Sequence, residues 1–303
     1  MQCVFANVNE KSMIVPKPTV ASFGYAEMLA ILESRHELMY SNHNPCVGAA
    51  LLKLRLARRR ITRIVVRAGN MTESTKQRYQ YLLFDIDNTL MDFTAGEKTA
   101  LFQTMDELGV SISEADYVKY LEINKAAWAR FEAGELDSKA VQRVRFENYA
   151  AHLGHDPAEG MGMNARYVEN LGQQAILLEG AMDLLQQLSQ HYRLAVATNG
   201  LTLVQRARLQ KSGFLPLLNG IFISQEMGVQ KPDQSYYESI FQSFGDPARE
   251  KYLMIGDSLS ADILGGVNAG IDTCWYHPAG AEEADPQPTY TVRGYDELLE
   301  LLL

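Results

Sequence analysis

Four short clusters of polar residues stand at the ends of apolar runs, and together they could move a phosphoryl group. In Asp85-Ile86-Asp87-Asn88-Thr89-Leu90 two carboxylates lie two residues apart. Such a pair repels itself, and a divalent cation would remove that penalty. Phosphoryl transfer needs an in-line oxygen nucleophile, neutralised nonbridging oxygens and a proton for the leaving alkoxide. Asp85 can be the nucleophile and give one oxygen to a metal. Asp87 can protonate the leaving oxygen and later deprotonate the attacking water. Thr198-Asn199-Gly200 offers a hydroxyl and backbone N–H groups at a helix start, a natural phosphate cradle. Lys231-Pro232 offers a point charge for phosphate and for the Asp85 carboxylate. Gly256-Asp257-Ser258 with Asp262 adds two carboxylates that can face one point, and an oxygen-only ligand set suits Mg²⁺. Taken singly, each cluster also has a plain reading: a polar strand end, a helix cap, a solvated lysine, an acidic helix start.

Elements must bring these residues together. The run Tyr81–Phe84 ends in Asp85 and predicts a buried strand that delivers a carboxylate to its C-terminal end. Similar runs follow at Leu194–Ala197, Ile221–Ser224, Leu253–Ile255 and Ile271–Tyr276. Helical stretches at Gly180–Gln190, Leu201–Ser212, Tyr236–Phe244 and Ala261–Ala269 separate them, with Gly213 and Gly270 where helices would stop. This alternation predicts an α/β fold with a Rossmann-like parallel sheet, and ligands at the carboxyl ends of its strands.

Residues 95–176 break the pattern. Leu101, Met105 and Leu108 share one helical face, closed by Gly109. Ser113 with Asp116 forms a capping box for the next helix, whose face runs Tyr117, Leu121, Asn124, Trp128 and Phe131 to Gly134. Val141, Val144, Tyr149, Tyr167 and Leu171 continue it. The expectation is an all-helical insert lying as a lid over the carboxyl edge of a core formed by residues 71–94 and 177–303. Trp128 or Phe131 could stack on a substrate ring and Asn124 could read its edge. Equally, Trp128 lies on an apolar face that fits a core, and Asn124 and Lys125 fit a surface.

DIDNT, TNG, KP and GDSLSAD, in that order, resemble the four-motif signature of the haloacid dehalogenase-like (HAD) hydrolase superfamily, over residues 80–277. The helical insert resembles that superfamily's C1-type cap. The resemblance implies Asp85 as nucleophile and Asp87 as acid/base, with Thr198 and Lys231 on the phosphate and Asn199 beside them. It also implies Mg²⁺ on Asp85, the Asp87 carbonyl and Asp257, supported by Asp262; Mn²⁺ or Co²⁺ could replace it. The true dehalogenases of the superfamily lack an acid at the position of Asp87, which favours phosphate chemistry. Asn124-Lys125-x-x-Trp128, ISQEMGVQKP (223–232) and ILGGVNAGIDTCWY (263–276) are similar to YjjG-type pyrimidine 5′-nucleotidases. That similarity implies a phosphomonoesterase acting on UMP, dUMP or dTMP, with a sugar- or glycolate-phosphate phosphatase as the alternative and a non-catalytic binding protein as a distant one.

The charge is uneven. Ten basic and four acidic residues fall in 1–70, so a chain of net charge −9 carries −15 from residue 71 onward. That acidic part excludes nucleic acid as a partner, because phosphate backbones need basic surfaces. Residues 51–67 alternate apolar and basic side chains without an acid. They could form a surface-binding amphipathic element, an organelle-targeting extension or a stretch upstream of a natural start at Met71; the last is the expectation, with Tyr25–Tyr40 as a short helix. Three cysteines form no framework, and no apolar stretch in 71–303 would cross a membrane. These features predict a cytoplasmic monomer or homodimer.

Overall fold

The computed structural model describes residues 78–280 and 283–303. The basic segment 51–67 and the Tyr25–Tyr40 helix lie outside the described residues.

Six strands form one sheet in the order β3-β2-β1-β4-β5-β6. They are β1 (Tyr81–Phe84), β2 (Arg193–Thr198), β3 (Leu218–Ile223), β4 (Tyr252–Gly256), β5 (Asp272–Tyr276) and β6 (Tyr290–Val292), and every pairing is parallel. A sheet covered on both faces has strands apolar on both sides. Accordingly, Leu82 and Phe84 join one buried cluster while Tyr81 and Leu83 join the other. The first cluster packs under helices that include Ala181–Leu188 and Tyr295–Leu302, the second under Gln234–Phe244. The strand Tyr290–Val292 and the helix Tyr295–Leu302 extend the predicted alternation by one more unit. Gly213 and Gly270 do close helices, with φ of 79° and 71°.

Between β1 and the rest of the core stands the helical cap. Its helices are α1 (Phe93–Glu107), α2 (Glu114–Glu132), α3 (Ser138–His152) and α4 (Gly160–Gln173). Ser113 and Asp116 form the expected capping box, which satisfies N–H groups that the helix itself leaves orphaned. Leu101 and Met105 are buried in the cap's own core, together with Tyr120, Phe146 and Tyr167. Leu108 departs from expectation: it falls one residue past the end of α1 and is exposed, because the chain turns there toward Gly109.

The cap is joined to the core by two connections that run side by side. Asp92 donates its N–H to the Ile176 carbonyl at 2.9 Å, and Leu178 donates to Leu90 at 3.1 Å. The cap also leans on helix α6 (Thr202–Ser212), the next core helix after α5 (Ala181–Leu188), since Leu201 and Val204 belong to the cap's apolar cluster. On the opposite side, Gln230 donates to the Phe131 carbonyl at 2.6 Å and Ser260 to Glu132 at 2.8 Å. Cap and core thus enclose a cavity over the carboxyl ends of β1, β2 and β4.

Candidate active site

The sheet order reverses at β1, with β2 on one side and β4 on the other. In parallel α/β sheets this switch point opens the crevice where ligands bind. Asp85 follows β1 directly, and its N–H is fixed by the Ile255 carbonyl of β4 at 2.9 Å. The next turn closes tightly: Leu90 and Met91 both donate to the Ile86 carbonyl at 2.9 Å. Asn88 adopts φ of 57° there, a left-handed conformation that Asn tolerates better than most residues.

Lys231 ties the strand ends together. Its ammonium donates to Asp85 at 2.8 Å, to Asp262 at 2.6 Å and to the Ala197 carbonyl at 2.6 Å. All three N–H bonds are therefore engaged by protein, so toward the cavity the lysine offers charge and no free N–H. Burial alone would pull the Lys231 pKa down, but Asp262 and Asp85 outweigh it and hold the ammonium protonated. The helix after β4 opens with a widened turn, Leu259–Ile263, where Asp262 also accepts from the Ser258 N–H at 3.0 Å. A side chain at Gly256 would come within 2.2 Å of the Asp262 carboxylate, which is why that position needs glycine.

Asn199 lines the cavity, and its side chain has a job of its own. The amide accepts from the Lys231 N–H at 2.9 Å and donates to the Lys231 carbonyl at 2.8 Å, pinning the lysine's backbone. A side-chain amide that satisfies a neighbouring backbone on both edges has its strongest donor and acceptor already taken. Thr198 sits at the end of β2, and its hydroxyl accepts from Gly200 N–H at 3.0 Å and from Gln205 at 2.9 Å.

Gln205 and Arg208, both on α6, were not anticipated from the sequence. Gln205 also donates to Asp87 at 2.8 Å, and Gly200 has no Cβ because one would meet Gln205 Nε2 at 2.3 Å. Arg208 is completely buried and pairs with the other Asp87 oxygen. It further donates to Gln205 at 3.0 Å and to the Gln174 carbonyl at 2.9 Å, in the connection leaving the cap. Its guanidinium lies 5.7 Å from the centre of the Phe93 ring, at the first residue of α1. The i, i+3 spacing of Gln205 and Arg208, which puts both side chains on one face of α6, was the available signal.

The cap contributes Phe93, Asn124, Trp128, Glu132, Arg145 and Leu171 to a cavity of about 280 Å³ shared with Asp85, Asp87 and Asp257. Trp128 is half-buried and meets Phe131 edge-on at 5.3 Å. Phe131 itself is core. Lys125 is exposed and takes no part in the cavity wall, because one residue along a helix turns a side chain about 100° away from Asn124.

The family model of haloacid dehalogenase-like hydrolases matches residues 79–270. The chain belongs to this family. Pyrimidine 5′-nucleotidase PynA of Streptococcus pneumoniae is 44% identical over 226 residues, covering 74% of this chain and 95% of that protein. Pyrimidine 5′-nucleotidase YjjG of Escherichia coli is 31% identical over 74% of this chain and 98% of its own length. The crystal structure of the HAD-hydrolase YfnB of Bacillus subtilis, bound to magnesium, superposes with a TM-score of 0.70 at 36% identity. It covers 75% of this chain and 99% of that one.

In this HAD hydrolase the donor set fits a divalent cation. Carboxylate oxygens of Asp85, Asp257 and Asp262 lie within 4.8 Å of one another. Lys231 compensates Asp85 and Asp262, and among the described residues no basic side chain pairs with Asp257. Burial and the nearby Asp262 push the Asp257 carboxyl up to about 7. A hard cation on these oxygens would supply the missing positive charge. The Asp87 carboxylate stands apart from this cluster, turned to Gln205 and Arg208.

Proposed function

We propose that the chain is a Mg²⁺-dependent phosphomonoesterase that hydrolyses pyrimidine nucleoside monophosphates such as UMP, dUMP and dTMP. Mn²⁺ is a workable substitute, since all-oxygen ligands discriminate weakly between the two. The observation that carries the reading is the placement of Asp85. Its carboxylate is held by Lys231 at the switch point, beside Asp257 and Asp262, with a second acid two residues along.

Asp85 would attack phosphorus in line while the bond to the ester oxygen breaks, forming an aspartyl phosphate and an alkoxide that takes a proton from Asp87. Water, giving its proton back to Asp87, would then attack phosphorus and release phosphate and free Asp85. A cation on Asp85, the Asp87 carbonyl and Asp257 would neutralise the nonbridging oxygens. Lys231 holds the nucleophile and adds charge, and Thr198 lines the same cavity. For Asp87 to reach the leaving oxygen it must exchange at least one of its contacts with Gln205 and Arg208 for substrate.

The cap wall of Trp128, Asn124 and Phe93 supports a flat, polar-edged leaving group. The two nucleotidase relatives, similar over nearly their whole lengths, support the pyrimidine choice. A reducing cytoplasm goes with this reading, and Cys274 is a buried free thiol. No helix among the described residues is long and apolar enough to cross a membrane.

The test is phosphate release by the full chain from nucleotides and sugar phosphates, with Mg²⁺ or chelator, beside Asp85→Asn. Metal-dependent release that favours pyrimidine monophosphates and vanishes in the variant is expected. A preference for a sugar phosphate would discard the nucleotide assignment, and release surviving Asp85→Asn would discard the mechanism.

A further inference from the structure

Asn124 projects from α2 into the cap wall of the cavity, and its amide is held from both ends. Nδ2 donates to Glu97 at 2.6 Å, and Oδ1 accepts from Arg145 at 3.2 Å. Arginine offers only donors, so Oδ1 must face Arg145 and Nδ2 is left to a Glu97 oxygen; this arrangement admits one orientation of the amide. Arg145 is itself fixed. It donates to Asn164 at 3.1 Å, Asn164 donates to Gln142 at 3.1 Å, and the guanidinium lies 5.0 Å from the ring centres of Phe146 and Tyr167. Glu97, Asn124, Arg145 and Asn164 are all buried, and they come from all four cap helices. The bonds of such a buried polar network hold its members rigidly, although the Arg145 Nε takes no partner in it.

A primary amide has two N–H bonds and two acceptor positions. The network takes one of each, so Asn124, which lines the cavity, has one N–H and one acceptor position left. That pair complements the edge of a cyclic amide. Uracil and thymine present acceptor, donor and acceptor in sequence, so they can meet a fixed donor–acceptor pair in either sense. Cytosine, with a donor at position 4 and an acceptor at position 3, meets it in one sense only. The cavity of about 280 Å³ carries the Phe93 and Trp128 rings on its cap wall beside Asn124, which suits a flat ring.

We infer that Asn124 reads the base of the substrate, and that Arg145 and Glu97 are positioning residues that fix which way its amide faces. This rests on the nucleotidase reading above. Arg145 contributes through Asn124, so its replacement changes base discrimination.

The experiment measures kcat and KM of the full chain with Mg²⁺ on UMP, CMP and p-nitrophenyl phosphate, for wild type, Asn124→Leu and Arg145→Lys, with thermal unfolding of each. For Asn124→Leu the ratio of kcat/KM for UMP to that for p-nitrophenyl phosphate should fall by about tenfold or more, since a site built to hydrogen-bond a ring loses those bonds. For Arg145→Lys the ratio of UMP to CMP should narrow by about threefold or more, carried by KM, as the amide becomes free to turn. If Asn124→Leu does not fold, Asn124→Ser serves for the first comparison. Ratios within about twofold of wild type in a folded Asn124 variant would overturn the inference while leaving the nucleotidase reading intact. A wild type that cleaves p-nitrophenyl phosphate but favours no nucleotide would overturn both.

Discussion

Replacing Glu97 with glutamine should stabilise the protein, and increasingly so as pH rises. Glu97 is 3% exposed in the cap core, and burial pushes its carboxyl from an ordinary 4.5 up to about 7, opposed by Arg145 and reinforced by Asp87. Between those values the unfolded chain has released this proton while the folded chain keeps it. The folded state therefore binds more protons, and wild-type stability falls as pH rises through the window. Converted at about 1.36 kcal/mol per pH unit, the span from 4.5 to about 7 is worth about 3 kcal/mol. Glutamine has no proton to lose and can still accept from Asn124. Urea unfolding of both proteins from pH 4.5 to 8.5, with chelator present, should show the variant's advantage growing by about 3 kcal/mol and levelling off above pH 7. An advantage that is flat with pH, or that shrinks, would refute the placement of Glu97 as a buried carboxyl.

Metal binding should stabilise the fold: Mg²⁺ at a hundredfold excess over its dissociation constant adds about 2.7 kcal/mol, visible as a rise in Tm that Asp257→Asn abolishes. An equal rise in the variant would place the cation elsewhere. Arg208→Met should lower stability by about 3 kcal/mol in urea unfolding, the lower end for breaking a buried pair, because the Asp87 side chain keeps 27% exposure. An unchanged midpoint would mean that the pair contributes nothing.

The sequence announced the core of the site because strand ends in a parallel sheet are short, apolar and followed at once by their functional residue. Asp85, Thr198 and Asp257 were legible for that reason, and Lys231 and Asp262 by their order after them. What escaped was what depends on tertiary packing. Arg208 looks like an ordinary helix-surface arginine until the cap connections close around it. Arg145 and Glu97 meet only when three cap helices converge. The side-chain amide of Asn199 is claimed by the chain that crosses beside it at Lys231, a contact that no local pattern shows. Strand β6 spans three residues, too few for a pattern to declare itself. Lys125 takes the surface alternative that its sequence allowed, one position off the inward face of the helix.

Arg208 meets the connection leaving the cap through a backbone carbonyl, that of Gln174, and not through a side chain. Every amino acid supplies that carbonyl. The anchor of Asp87 is therefore indifferent to what the cap is made of, provided an aromatic ring like Phe93 and the path of the two connections are kept. The cap behaves as a cassette: its interior can be rewritten for a different leaving group while the grip on Asp87 passes unchanged from one version to the next.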